Sequence, residues 1–283
     1  MKKIIVNADD FGYHEFINRA IEKAVREGCV RSTTMMAGGA AFDDAVKIAN
    51  RNPNLGVGVH FTLVDCAPVL PPEEIPTLVT EKGTLFETYE KFVTAYCQGK
   101  ISNDEIKSEL AAQIEKIRRA GLKITHFDSH THLHHLPGVS EIAFEVAGAA
   151  GIKKVRIADT KILDKSPKTF RQICTLFGFS ILTKIARKKA QEKNFLTPEN
   201  FAGLIGNRSV SEEFLSDVIE NMQEGTTEVM VHVGTNNKFL QDYCNWNHDY
   251  EQELAAVTSP KILQLLEEKN IVVTNYNELL AEK

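Results

Sequence analysis

KIIVNADDFG, residues 3–12, decides how the rest of the chain is read. Its first six residues (KIIVNA) form a short apolar run with β-branched members, the length of a buried strand and short for a helix. Asp9 and Asp10 follow at once, where such a strand would leave its sheet. Neighbours in a strand point to opposite faces, so both carboxylates reach one site only if the chain bends there, and Gly12 offers the bend. A helix N-cap or a turn is the duller reading of an Asp-Asp pair.

Working outward, the strand is followed by residues 15–27 (EFINRAIEKAVRE), apolar at helical spacing and stopped by Gly28. The alternation then repeats: strands at 30–36, 55–63, 124–128, 154–158, 228–232 and 271–274, helices at 41–49, 101–120, 140–150, 211–223 and 260–269. Residues 201–205 are a further strand candidate. Repeated strand–helix units predict parallel strands with crossover helices. The expected class is α/β, a distorted TIM-like β/α barrel of about seven mostly parallel strands with its active site at their carboxyl ends; a doubly wound open sheet is the rival. No repeat or linker divides the chain, so 1–283 reads as one domain with loop insertions near 64–100 and 160–198. The second insertion holds a basic stretch, 184–193 (KIARKKAQEK), read as a solvated helix face with substrate or partner contact as the alternative.

Composition narrows the functional classes. A hydrophobic share of 43% and a charged share of 25% are ordinary for a soluble globular protein. A net charge of -5 gives no electrostatic reason to expect nucleic acid. No apolar run approaches the roughly 20 residues that span a bilayer. The start, MKKIIVNADDFG, lacks the long apolar stretch of a signal peptide, so a cytoplasmic location is expected. Cys29, Cys66, Cys97, Cys174 and Cys244 form no CxxC pair and, being odd in number and scattered, read as reduced thiols.

The ionisable residues cluster in an informative way. Asp9 and Asp10 end the first strand, His60 lies near the end of the third, and His126, Asp128 and His130 straddle the end of the fourth. Arg156 lies on the fifth and His232 ends EVMVH. In a parallel barrel all carboxyl ends emerge on one face, so these residues would converge. Asp and His together suit Zn²⁺ and related ions, and three protein ligands leave room for a water that the metal makes nucleophilic. HFDSHTHLHH, residues 126–135, packs five histidines and an aspartate into ten positions, a strong pointer to metal or catalysis against the alternative of a histidine-rich surface loop. Within it, His132 and His134 rival His130 as ligands, because His130 and His134 would share a face of a helix. His60 and His232 could be core histidines and Arg156 a structural ion-pair partner. His14 and His248 fall outside the pattern and are read as incidental.

NADDFG (7–12), STTMM (32–36), VGVHFTL (57–63), THFDSHTHLH (125–134), EVMVHVG (228–234) and SPKILQLLEEKNIVVTNYNEL (259–279), in that order, resemble the YdjC-like (ChbG-type) carbohydrate deacetylases almost end to end. The resemblance implies a TIM-like barrel that removes acetyl groups from N-acetylated mono- or oligosaccharides, such as chitooligosaccharides, with one divalent metal ion, Mg²⁺ or Zn²⁺. It implies Asp10, His60 and His130 as metal ligands and Asp9 as the general base. It implies His232 as the general acid, with Arg156 positioning Asp9 and Asp128 orienting a ligand imidazole. A homodimer is common in the family. Two positions depart from the family pattern: Val233 stands where proline is usual, and the arginine expected before ELAAVTSP is replaced within NHDYEQEL, residues 247–254. The rival functions are another metal-dependent hydrolase on the same barrel, a phosphoesterase or cyclic amidohydrolase, and a non-catalytic sugar-binding relative.

Overall fold

The computed structural model of the chain describes residues 1–159, 170–204 and 209–279, the side chains of 170–176 excepted. Seven strands share one sheet: β1 (Lys2–Phe11), β2 (Ser32–Met35), β3 (Gly56–Phe61), β4 (Ile124–Ser129), β5 (Asn200–Ala202), β6 (Gly225–Val231) and β7 (Val272–Val273). Their order is β4-β3-β2-β1-β6-β5, with β7 paired to the start of β1, and every ladder is parallel. Parallel neighbours require crossovers, and helices such as Glu15–Glu27, Phe42–Arg51 and Asn103–Arg119 supply them. Further helices, Tyr89–Cys97, Asn237–Tyr243 and Tyr250–Val257, lie where no helical period was read.

The sheet curls into a half-barrel, and its contacts demand the curl. β1 and β4 are separated by β2 and β3, so a flat sheet with strands about 4.8 Å apart would hold them roughly 14 Å from each other. Yet His130, just past β4, touches Asp10 of β1 at 3.0 Å. Strand parity sorts the residues onto two faces. Ile4, Val6 and Ala8 of β1, Val57, Val59 and Phe61 of β3, Phe127 of β4 and Val229 and Val231 of β6 join one core with helix residues such as Ile17, Ile21 and Leu110. The alternate positions face inward and are mostly polar: Asn7 and Asp9, His60, His126 and Asp128, Glu228. Gly58 shares that face because a Cβ there would lie 2.5 Å from the His126 ring.

One expected strand shrinks. Residues 154–158 pair only through isolated bridges, Val155 to Phe127 and Lys154 to Leu196. Arg156 still bonds Phe127 (3.1 Å), but two residues later the Ala158 N–H goes to His135 Nε2 (3.4 Å) and leaves the ladder. The candidate strand at 201–205 is represented by β5; Ile205 lies outside the described residues, as do 160–169 of the second insertion. Arg187 of the basic stretch turns inward to Asp159, while Lys184 and Lys188 are exposed. Cys29, Cys66, Cys97 and Cys244 are free, and the Cys174 side chain lies outside the described residues. Among the described residues no helix is long and apolar enough to cross a membrane.

Candidate active site

At the carboxyl ends of the strands lies a cavity of about 520 Å³, lined by Asp9, Asp10, His60, His130 and His232, among others. Asp9 and Asp10 both reach it because β1 breaks register with β2 between Ala8 and Phe11. Asp10 takes a left-handed φ of 63°, a conformation sparsely populated outside glycine, and Gly12 follows at φ 95°. The bulge turns two successive side chains, normally opposed, toward one place.

Asp10 Oδ1 stands 3.2 Å from His60 Nε2 and 3.0 Å from His130 Nδ1. A donor atom from each of the three lies within 4.8 Å of the others. His60 is anchored from behind, its Nδ1 at 2.6 Å from Asp128 Oδ1, a carboxylate–imidazole arrangement that fixes ring and tautomer for a metal ligand. Burial would lower the His60 pKa, but Asp128, Asp10 and Asp9 carry it up to about 10. Burial pushes Asp10 upward, and His130 and His60 nevertheless hold its carboxyl well below the usual range. Positive charge is wanted here, and a divalent cation would supply it while releasing the imidazole proton. The donor set therefore fits such an ion. Asp9, His60 and Asp128 are also mutually close, but both carboxylates of that group already face the Arg156 guanidinium, which would repel a second cation.

Arg156 is fully buried and closes the inner wall. Nη1 and Nη2 donate to the two oxygens of Asp9 at 2.6 and 2.7 Å, Nη1 also lies 2.6 Å from Asp128 Oδ2, and Nε donates to Glu228 Oε1 at 2.8 Å. Asn7 Nδ2 adds a bond to Asp9 at 2.8 Å. Burial opposes ionisation of Asp9, and Arg156 outweighs it, holding the carboxyl far below its ordinary value. Beneath, the Tyr276 hydroxyl donates to Glu228 Oε2 at 2.6 Å and the Tyr276 ring stacks on His126 at 3.6 Å.

His232 Nε2 lies 3.9 Å from Asp9 Oδ2 and lines the same cavity as His60 and His130. Burial lowers its pKa against the opposing pull of Asp9, Asp10 and Glu253. Its ring meets Trp246 edge-on at 5.0 Å, and its backbone N–H is held by Glu253.

The histidine-rich segment divides its residues. It forms a kinked 3-10 turn in which Thr131 and His132 have φ of 52° and 57°, so the helical face expected to join His130 and His134 does not exist. His134 Nε2 donates to the Arg156 carbonyl at 3.0 Å, which leaves Nδ1 to accept from Ser129 Oγ at 2.6 Å; both nitrogens are engaged away from Asp10. His132 lines the cavity but, among the described residues, joins no group of donors close enough to share an ion. His14 caps the helix Glu15–Glu27 by accepting from Phe16 N–H.

The sequence reading missed several cavity residues. His248, read as incidental, is buried beside His232 with rings 5.5 Å apart and lines the cavity. Trp246, Tyr250 and Glu253 also line the cavity, as do Tyr13 and Asp65, joined at 2.9 Å. Glu228 could have been found, because parity puts it on the same face as His232 in EVMVH.

The family profile described as YdjC-like protein matches residues 3–268. A carbohydrate deacetylase of Thermoanaerobacter pseudethanolicus is 28% identical over 280 residues, covering 99% of this chain and all of that one. A carbohydrate deacetylase of Geobacillus stearothermophilus is 29% identical, covering 97% of this chain and 96% of that one. A crystal structure from Enterococcus faecalis V583, described as that of a cellobiose-phosphate cleavage protein, superposes with a TM-score of 0.78 at 26% identity over 99% of both chains. With a family match spanning nearly its whole length and a half-barrel shared with that structure, the chain belongs to the YdjC-like family.

Proposed function

We propose that this chain is a carbohydrate deacetylase that hydrolyses the acetamide of N-acetylated mono- or oligosaccharides, chitooligosaccharides being the leading class, with one divalent cation held by Asp10, His60 and His130. The observation that carries the reading is the convergence of that trio with Asp9 and His232 in one cavity. The relatives named carbohydrate deacetylase support the reaction class. A bound Zn²⁺ or Mg²⁺ would polarise the acetyl carbonyl and make a water acidic enough to attack near neutral pH.

The protein's own groups do the rest. Asp9, ionised and fixed by two guanidinium bonds, is placed to take the proton of the attacking water. Addition to the carbonyl carbon gives a tetrahedral centre, and the C–N bond then breaks to release acetate. The sugar nitrogen cannot leave as an anion, so it needs a proton as it departs. His232 is placed to give it, and burial makes a proton on that ring easier to surrender.

The test is acetate release from short N-acetylglucosamine oligosaccharides by chain stripped of metal and reloaded with Mg²⁺ or Zn²⁺. Asp9→Asn should keep its bound metal yet lose roughly 100- to 10,000-fold in kcat. No acetate from any oligosaccharide would sink the proposal, and full turnover in Asp9→Asn would remove Asp9 from its role.

A further inference from the structure

His248 is 4% exposed and Glu253 2%, and with His232 they form a second group of donors within 4.8 Å of one another. Among the described residues the His248 Nε2 has no hydrogen-bond partner. Glu253 Oε1 stands only 3.0 Å from it, but off the line a hydrogen bond needs. A buried polar atom left unsatisfied costs free energy, so such an atom beside a carboxylate and a second imidazole calls for an occupant.

The rest of the ring is prepared as a metal ligand would be. Nδ1 lies 3.2 Å from Ser209 Oγ, which can accept its N–H and leave the Nε2 lone pair free. Trp246 stacks on the ring at 4.0 Å and fixes its plane. Glu253 accepts Val210 N–H through Oε1 and His232 N–H through Oε2, which locks the carboxylate while each oxygen keeps a second lone pair. Two imidazoles and a carboxylate are a donor set that zinc accepts.

We propose that His232, His248 and Glu253 form a second, inhibitory binding site for a zinc-class divalent cation. Occupancy takes the His232 lone pair, so the ring can no longer carry a proton to the leaving amine. The inhibition rests on the proposed role of His232; the existence of the site does not.

The experiment titrates metal-stripped chain with Zn²⁺, reading stoichiometry by calorimetry and elemental analysis alongside acetate release. The wild type should bind two zinc ions per chain, activity rising with the first and falling about 100-fold or more with the second, as loss of a general acid predicts. His248→Gln should bind one and show no falling phase relative to its own maximum; His232→Gln should also bind one, and serves if His248→Gln does not fold. Asp10→Asn should lose the other ion and retain this one. Saturation of the wild type at a single zinc, or two zinc ions bound by both histidine variants, overturns the proposal. If no sugar is turned over, the stoichiometry still decides the site, so failure of the deacetylase reading stays distinguishable.

Discussion

On the inner wall of the cavity, Arg156 meets Asp9, Asp128 and Glu228 at 2.6 to 2.8 Å, with every partner at most 2% exposed. On the rim, Trp246 is 37% exposed and touches His232 and His248 through ring faces and edges, while Glu253 holds backbone N–H groups. The wall residues come from strands β1, β4 and β6 and from the bridge at 154–156; the rim comes from the loop and helix after β6. Charges buried together hold position strongly because separating them leaves each unpaired in a poor dielectric. Aromatic contacts at a half-open edge carry far less. Fixed geometry for Asp9 is thus secured by buried charge from within, whereas the rim is held by ring contacts and by backbone hydrogen bonds to Glu253.

The sharpest way to break this contrast is Arg156→Met. The wall would keep three acidic side chains, Asp9, Asp128 and Glu228, with no guanidinium between them, and removing one partner of a buried charge cluster costs about 3–5 kcal/mol. Denaturant unfolding at neutral pH should show that loss with acetate release abolished. A loss below about 1 kcal/mol, the value of an exposed pair, would mean the wall is not held by charge.

The same division explains what could be read from the sequence. Strand ends are legible because a two-residue period fixes the face and a parallel sheet fixes the end, which places Asp9, His60, Asp128 and His232 before any coordinates. That Asp9 and Asp10 share a site was legible only as a bend near Gly12; the bulge and the left-handed Asp10 depend on pairing with β2. The shortening of the strand at 154–158 depends on His135 capturing an N–H, a tertiary event. In HTHLHH composition signalled a site but could not apportion it, since Thr131 and His132 break the period that would rank the histidines. Trp246 and His248 were illegible for a plainer reason. They sit in a loop with no period, where His248 is positioned by Ser209 from a distant segment and by Glu253 of the helix that follows, and Trp246 stacks on His248.

Glu228 sharpens the comparison from inside the wall. Burial pushes its pKa from 4.5 up to about 7, against the pull of Arg156 and Tyr276. Between those values the folded chain keeps a proton that the unfolded chain has released, so this group's contribution to stability falls as pH rises through the window. Glu228→Gln has no such proton to lose. Its stability relative to wild type should therefore improve by about 1–3 kcal/mol from about pH 5 to about pH 8 in paired denaturant titrations. A difference flat across that range would show that Glu228 stays ionised in the folded wall.

The smallest effect is expected at the rim, from Trp246→Ala. The side chain is over a third exposed, so little apolar area is lost from the core and the loss of unfolding free energy should stay at about 1–2 kcal/mol, well short of that of Arg156→Met. What disappears is the edge contact to His232 and the stack on His248, each worth about 0.5–1.5 kcal/mol. With the His232 backbone still tied to Glu253, kcat/KM for acetate release should fall by about tenfold at most. A loss of stability approaching that of Arg156→Met would place Trp246 with the rigid half, and the division between wall and rim would then fail, because a ring contact at an open edge cannot cost as much as a stranded buried charge unless it also holds the strands in place.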